Sequence, residues 1–390
     1  MKAPSDSESE SISLYVHIPY CVKRCGYCDF NTYTPSELKP GSDSVASVAD
    51  GYINALLHEL EIAQVRMGSR EISTIFFGGG TPTLLPAHQL ERVIESARTR
   101  FGLASDCEIT IEANPDSVNL SSMHQFREAG FNRISFGVQS VKSHVLQVLD
   151  RTHDSSRVGE VVGAARNAGF DSISIDLIYG TPGESIDDWQ ASIDFALSLP
   201  IDHVSAYALI VETGTKFGAA VGRGEILMPP DDETAEKYLL VDAKMKNAGF
   251  DWYELSNWAK FGHECRHNQS YWESNDWWGL GAGAHSHLLG ERWWNVKHPQ
   301  RYIASMLEGK NPIAESEKLS PQEQMTERIM LRIRMREGLP ISDFTTLQRA
   351  TLEEFRRREL FLDKEWNEGR VVLSPQGRLL ADQVVRALVS

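Results

Sequence analysis

Six short runs of β-branched and aromatic residues punctuate the first half of the chain: SLYVHIP (13–19), STIFFGG (73–79), CEITIEAN (107–114), RISFGVQ (133–139), SISIDLIYG (172–180) and HVSAYALI (203–210). Between them lie longer segments whose apolar residues recur every three or four positions, as in GYINALLHELEIAQVRM (51–67). That spacing gives a helix one buried stripe. Strand and helix signals in alternation predict parallel βαβ units. An internal echo supports the reading: EAGFNRISFG, NAGFDSISID and NAGFDWYELS each place Ala-Gly-Phe between a helical segment and a strand-like run. The glycine suits the left-handed position that ends a helix, and the Phe can pack as the chain turns into the sheet. Gly130 and Gly169 lie 39 residues apart, and Gly169 and Gly249 lie 80 apart, so the unit is close to 40 residues. Chance recurrence of a common helix-stop phrase is the alternative. Six such units between residue 13 and about 225 fall short of the eight of a closed barrel. The expected fold class is therefore α/β, a partial (β/α)6 TIM-type barrel.

After about residue 300 the pattern changes. Ser320 is placed as an N-cap, with Pro321 at the first helical position and Glu323 three residues after the cap, predicting a helix through about Met335. A second helix follows in TLQRATLEEFRRREL, and RVVLSPQGRLLADQVVRAL reads as strand, turn and closing helix. Together they predict a small winged-helix-like helical domain. The organisation expected is a polar, disordered tail at 1–10, the barrel at 11–225, a barrel extension at 226–300 and the C-terminal helical domain at 301–390.

Composition narrows the function classes. The 390 residues are 41% hydrophobic and 24% charged, as in a globular protein with a sizeable core. A formal charge of −15 argues against a broad nucleic-acid surface, which would need excess Lys and Arg. Apolar runs stay short of the roughly 18 residues of a membrane helix, and the start lacks the apolar centre of a signal peptide. A cytoplasmic protein is expected, and in that reducing compartment clustered thiols bind metal or do redox work more often than they form disulfides.

Only five cysteines occur, and three of them, Cys21, Cys25 and Cys28, fall in HIPYCVKRCGYCDFN directly after the first strand. Thiols spaced C-x3-C-x2-C in one loop can converge on one metal centre. Zinc completed by a distant fourth ligand is one reading, since structural zinc closes with four ligands. A 4Fe-4S cluster held by three thiolates, with one iron open to an exchangeable ligand, is the other and the favoured one.

The cysteine spacing, with Tyr27 inside it, resembles the radical S-adenosylmethionine superfamily. Within it the chain is similar, from about Ser13 to Leu388, to the oxygen-independent coproporphyrinogen III oxidase group. The resemblance implies a 4Fe-4S cluster on the three cysteines, with the open iron chelated by S-adenosylmethionine and its cleavage giving a 5'-deoxyadenosyl radical. It also implies that Gly78 and Gly79 of FFGGGTP lie against the amino group of S-adenosylmethionine, with Gly80 and Thr81 extending the loop. On their own, three glycines after a strand allow close backbone approach and offer amide donors, or simply turn the chain. Glu112, Gln139 and Asp176 each stand near the end of a later strand, where such barrels place their sites, although strand-end capping accounts for each singly. In order along the chain they resemble cofactor contacts of the family. Arg151 belongs with them, since a guanidinium suits a carboxylate-bearing ligand, with a surface ion pair as the alternative. Tyr15 and Phe30 complete the implied cofactor neighbourhood.

The segment CRHNQSYWESNDWWGLGAGAHSH (265–287) is dense in aromatics and glycines. A dinucleotide reading of GLGAGA fails, because neither the strand before it nor the helix after it is present. HNQSYW (267–272) matches an HNxxYW signature that separates a haem-chaperone branch of this family from the true oxidases. That branch implies haem as a third cofactor and partner, with a haem-accepting protein, such as a respiratory enzyme, to receive it. His267 is the first candidate for a haem ligand, with Cys265, His285 and His287 behind it, and a packing role fits His267 equally well. Covalent attachment through C-x-x-C-H is excluded by its absence.

Three positions depart from the family pattern: Gly26 and Ala282 where Pro is common, and Asp150 where Gly is frequent. True oxidases also carry a fourth cysteine in C-x-C after Cys28, where this chain has Asp29 and Phe30. Haem chaperone rather than true oxidase is therefore expected, with oxidative decarboxylation of coproporphyrinogen III as the alternative. A homodimer and peripheral membrane contact are both compatible with the sequence.

Overall fold

A computed structural model describes residues 11–68, 70–151 and 153–389; the tail expected to be disordered, 1–10, lies outside the described residues. The six predicted runs form strands β1 (Ser11–Ile18), β2 (Glu71–Gly79), β3 (Leu103–Ala113), β4 (Arg133–Gln139), β5 (Ser172–Tyr179) and β6 (His203–Ala208). They pair in parallel and in chain order. Each is followed by an outer helix: Tyr52–Met67, Ala87–Phe101, Leu120–Glu128, Ser155–Ala168, Ile186–Ser198 and Asp231–Asn247. Helices cover one sheet face, so Ile134, Phe136, Ile173 and Ile175 enter the main core, while Ser135 and Asp176 meet by a 2.9 Å hydrogen bond on the other. The expected partial (β/α)6 barrel is present.

The Ala-Gly-Phe phrases do what their pattern predicts. Gly130, Gly169 and Gly249 have φ of +103°, +88° and +81°, and Phe131, Phe170 and Phe250 are buried.

The sheet does not stop at six strands. On the β6 edge come β7 (Asp251–Glu254) and β8 (Asn257–Ala259), antiparallel. On the β1 edge β9 (Trp277–Leu280) pairs in parallel, followed by antiparallel β10 (His285–Leu288), β11 (Glu291–Asn295) and β12 (Ile313–Lys318). The result is an open twelve-stranded sheet. The 226–300 extension thus lengthens both edges, and residues 301–318, grouped with the C-terminal unit on sequence, supply Tyr302 and Met306 to the main core and β12 to the main sheet.

The C-terminal unit has its own core, including Ile333, Leu352, Val371 and Val384. Its first helix, Pro321–Arg332, opens on the predicted capping box: Ser320 N–H donates to Glu323 Oε2 at 2.7 Å, and Glu323 N–H donates to Ser320 Oγ at 3.3 Å. Several contacts fasten the unit to the barrel, among them the ion pairs Arg292–Glu327, Arg332–Glu273 and Arg336–Asp251. Glu254 of β7 forms a β-bridge with Met335. Arg378, with a side chain 5% exposed, donates to both carboxylate oxygens of Asp242 at 2.8 and 2.5 Å and stacks 4.4 Å from the Trp252 ring. No described helix is long and apolar enough to cross a membrane.

Candidate functional site

The loop between β1 and residue 33 carries the three thiols, and its ends are tied together. Cys21 N–H donates to Tyr33 C=O at 3.1 Å, and Cys28 N–H donates to Cys25 C=O at 3.2 Å. All three cysteines are half-buried free thiols on the wall of one cavity of about 550 Å³. Among the described residues no His, Cys, Asp and Glu side chains cluster as a single metal ion would need. Burial pushes the Cys21 thiol up to about 11, against the lowering effect of the Thr81 hydroxyl 3.9 Å from its sulfur. A bound metal reverses that balance, because it stabilises the thiolate.

The same cavity gathers most of the other expected residues. Gly79, Gly80 and Thr81 line it from β2, Glu112 from β3, Gln139 from β4 and Asp176 from β5, with Arg151 and Phe30 at its sides. The glycine loop differs from expectation in one respect. Its N–H groups are already engaged: Gly79 donates to Glu112 Oε2 at 3.0 Å, Gly80 to Ile18 C=O and Thr81 to Tyr20 C=O, both at 2.8 Å. The glycines serve close approach instead. A Cβ on Gly80 would lie 2.5 Å from Tyr20 O, and one on Gly79, whose φ is +107°, would lie 2.3 Å from the His17 ring.

What the cavity offers a ligand is opposite charges at separate places. Burial, then the nearby Asp176, pushes the Glu112 carboxyl up to about 7, while the Gly79 N–H pulls it down. Burial also raises Asp176 against the lowering effect of the Ser135 and Ser205 hydroxyls. An ammonium placed beside them would favour the charged form of both carboxyls. Arg151 is half-buried and hydrogen-bonds Tyr27, but its Nε is buried and unpaired, and a Cβ on Gly137 would lie 2.9 Å from its Nη2. An orphaned buried guanidinium nitrogen is costly unless a ligand oxygen satisfies it. Three thiols, two carboxyls and an arginine with one unpaired nitrogen fit a 4Fe-4S cluster and an amino-acid-bearing cofactor.

Tyr15 and Gly78 stand one layer below that surface. The Tyr15 hydroxyl meets His17 Nδ1 at 3.0 Å, and its ring stacks on Phe76 at 6.3 Å. A Cβ on Gly78 would be 2.9 Å from both Glu112 Oε2 and Phe76. Beneath them lies the HNxxYW helix, Arg266–Trp272. His267 is 1% exposed and stacks on Phe76 at 5.1 Å. Its Nδ1 meets the Thr74 hydroxyl at 2.7 Å and its Nε2 the Tyr271 hydroxyl at 2.8 Å, so an iron would have to displace one of them. Desolvation lowers it to about 3, leaving it neutral. Cys265 is 2% exposed with Sγ 3.6 Å from Glu108 Oε1. His287 is 8% exposed with Nδ1 3.2 Å from Asn275 C=O. His285 alone of the four haem candidates is exposed.

Two residues of the opening motif, quoted but given no role on sequence, hold the site together. His17 Nε2 meets Asn31 C=O at 2.9 Å, and Asn31 Nδ2 donates to the carbonyls of Ala282 at 3.0 Å and Lys297 at 2.9 Å. Contrary to the sequence expectation a strand, β9, does run into GLGAGA, but β10 rather than a helix follows it, and close packing explains its glycines. A Cβ on Gly283 would lie 2.5 Å from Asn31 Nδ2, and one on Gly281 would lie 2.6 Å from the Tyr52 hydroxyl. Ala282, where the family commonly has Pro, uses the N–H that Pro lacks to donate to that hydroxyl at 2.9 Å. The signal available in the sequence was a polar residue at each end of the cysteine run. The other two departures are also joined in space, since Gly26 leaves room for Asp150 Oδ2, 2.9 Å from where its Cβ would stand.

Comparison with known proteins agrees with this geometry. The radical SAM superfamily profile matches residues 15–196, and that of the HemN C-terminal domain matches residues 319–380. The chain is 43% identical to the heme chaperone HemW of Mycobacterium tuberculosis over 97% of this chain and 95% of that protein. It is 35% identical to heme chaperone HemW of Bacillus subtilis over 97% and 99%. The solved structure of coproporphyrinogen III oxidase (HemN) from Escherichia coli, described as a radical SAM enzyme, shares the fold with a TM-score of 0.81, 23% identity and coverage of 97% of this chain and 90% of that chain.

Proposed function

The chain belongs to the HemW family of radical S-adenosylmethionine proteins, and from that premise we propose that it is a cytoplasmic haem chaperone. In this reading Cys21, Cys25 and Cys28 hold a 4Fe-4S cluster, S-adenosylmethionine occupies the adjoining cavity, and haem is bound for delivery to an acceptor protein. A reduced cluster with one open iron, when bound, supplies an electron to S-adenosylmethionine. The protein's own contribution is placement. Glu112 and Asp176 receive the ammonium, the Arg151 guanidinium receives the carboxylate, and the bare Gly79 and Gly80 admit the ligand close to the backbone.

The observation that carries chaperone over oxidase is Phe30, 62% exposed at the cavity mouth. It occupies the position where the true oxidases have their fourth cysteine, so the thiol is replaced by an apolar ring. The relatives called heme chaperones support the same choice.

The test is anaerobic reconstitution with iron and sulfide, followed by haem titration and a coproporphyrinogen turnover assay. Stoichiometric haem binding without protoporphyrinogen formation is expected. Turnover that depends on Cys21, Cys25 and Cys28 would instead establish the oxidase reading. Iron content unchanged when all three cysteines are replaced would defeat both.

A further inference from the structure

We propose that haem docks through the imidazole of His285, on the open face of β10 and β11, with Trp294 beneath the ring and Lys297 beside it. The inference rests on the haem-binding reading and names the place where that binding occurs.

A haem carrier needs an iron ligand that is reachable, neutral and held still. His285 meets the first requirement, since it is exposed and its ring nitrogens have no hydrogen-bond partner among the described residues. His267, Cys265 and His287 are each nine-tenths or more buried and already bonded. His285 also presents a face built for a flat ligand. It is the cross-strand partner of Trp294, and the two rings stack at 5.5 Å and 23°. An indole beside an imidazole offers an apolar surface to a porphyrin edge.

The backbone of His285 is fixed from two sides. Its carbonyl accepts from Trp277 Nε1 at 3.0 Å. It also packs so closely on Gly279 that a Cβ there would lie 2.1 Å away. Partial burial of the ring, then the charges of Lys297 and Arg292, lowers His285 below its ordinary value. The imidazole is thus in the neutral form that coordinates iron. Arg292 is held by Glu317 and Glu327. Lys297 is exposed and has no ion-pair partner among the described residues, so its ammonium is the cation available to a propionate. Glu315, opposite Trp294 on β12, is acidic and turns the propionates toward Lys297.

The position also bears on release. One protein ligand on an open sheet face leaves the opposite face of the iron for a ligand from the acceptor. The wall is continuous with the cysteine loop, because Asn31 donates to the Lys297 carbonyl at 2.9 Å, and His285 is close enough to His17 to influence its protonation.

The experiment is haemin titration of the full chain, wild type against His285→Ala, Trp294→Ala and His267→Gln, followed by Soret absorbance and resonance Raman. Thermal melting confirms folding of each. His285→Ala is expected to weaken binding by about tenfold or more and to lose the histidine-ligated spectrum, with added imidazole restoring it. Trp294→Ala should weaken binding while keeping that spectrum, and His267→Gln should keep both. If wild type binds haemin and folded His285→Ala binds with the same affinity and spectrum, the inference is overturned. If wild type does not bind haemin at all, the haem-chaperone reading itself fails.

Discussion

Replacing Gly26 by Ala should loosen the cysteine loop through Asp150 and through nothing else. An ideal Cβ on Gly26 lies 2.9 Å from Asp150 Oδ2, so the carboxylate must move. It is tethered to Lys23 at 3.2 Å and Lys216 at 3.6 Å. Those lysines are 60% and 84% exposed, and each exposed pair contributes at most about 1 kcal/mol. Asp150 also sits at φ +56°, a left-handed conformation that costs a residue with a Cβ roughly 1 kcal/mol relative to Gly. Asp150→Gly should therefore be near neutral, about 1 kcal/mol lost with the ion pairs and about 1 kcal/mol regained in the backbone. Gly26→Ala should cost about 1 to 2 kcal/mol with Asp150 present, at the low end for overpacking because a side-chain tip can shift. In the Asp150→Gly background its cost should fall below about 0.5 kcal/mol. The assay is anaerobic alkylation of the metal-free chain in graded urea, with modification of Cys21, Cys25 and Cys28 read by mass spectrometry. The buried Cys107 and Cys265 serve as internal controls. Equal costs in both backgrounds would refute the steric account.

Two further outcomes follow from the packing. Arg378→Ala leaves the Asp242 carboxylate, 17% exposed, without its guanidinium; a loss of about 3 kcal/mol is expected, and Asp242→Asn in that background should recover part of it, as read by urea denaturation. Stability should also have a plateau between about pH 4.5 and 6.5. Burial lowers His17 to about 4 and His267 to about 3, so below 6.5 the unfolded chain binds protons that the folded one refuses, and stability falls on acidification. Burial raises Glu59 to about 7 and Glu254 to about 8, so above 4.5 the folded chain holds protons that the unfolded one has lost, and stability falls as pH rises. The two effects oppose each other within the plateau. Above it the carboxyls dominate, at about 1.4 kcal/mol per pH unit for each until its folded value is passed, Glu59 at about 7 and Glu254 at about 8. Denaturation midpoints that rise steadily from pH 6.5 to 8 would show that these groups are not buried as described.

The six βα units were legible because each repeats one local grammar, an amphipathic helix, a left-handed glycine and an apolar strand. The added strands were not. β7 and β8 span four and three residues, and β12, IAESEK, has an apolar residue only at its start and is mostly exposed, so no periodicity marks it. At the site the thiols were readable from their spacing in one loop, and the carboxyls from their place near strand ends together with the resemblance to the family. Gly281 and Gly283 of GLGAGA were not, since the atoms that exclude a Cβ there belong to Tyr52, His17 and Asn31, far away in sequence. His267 shows what a motif leaves unsaid about its surroundings. A conspicuous motif drew attention to an imidazole whose two nitrogens are engaged inside the protein.

An open sheet, unlike a closed barrel, has two free margins, and each is a template on which another chain could grow a strand. This protein treats them differently. The β12 margin carries Glu315, Glu317 and Lys318 in an exposed row, and such charges discourage pairing by another copy. The β7 margin, DWYE, is less defended by its own residues, and there the bridge from Glu254 to Met335 lays the C-terminal unit across it. That unit therefore acts as a shield against self-association as well as an appendage. A chain cut after β12 would keep its cysteines and cavity, yet expose a strand border that invites aggregation.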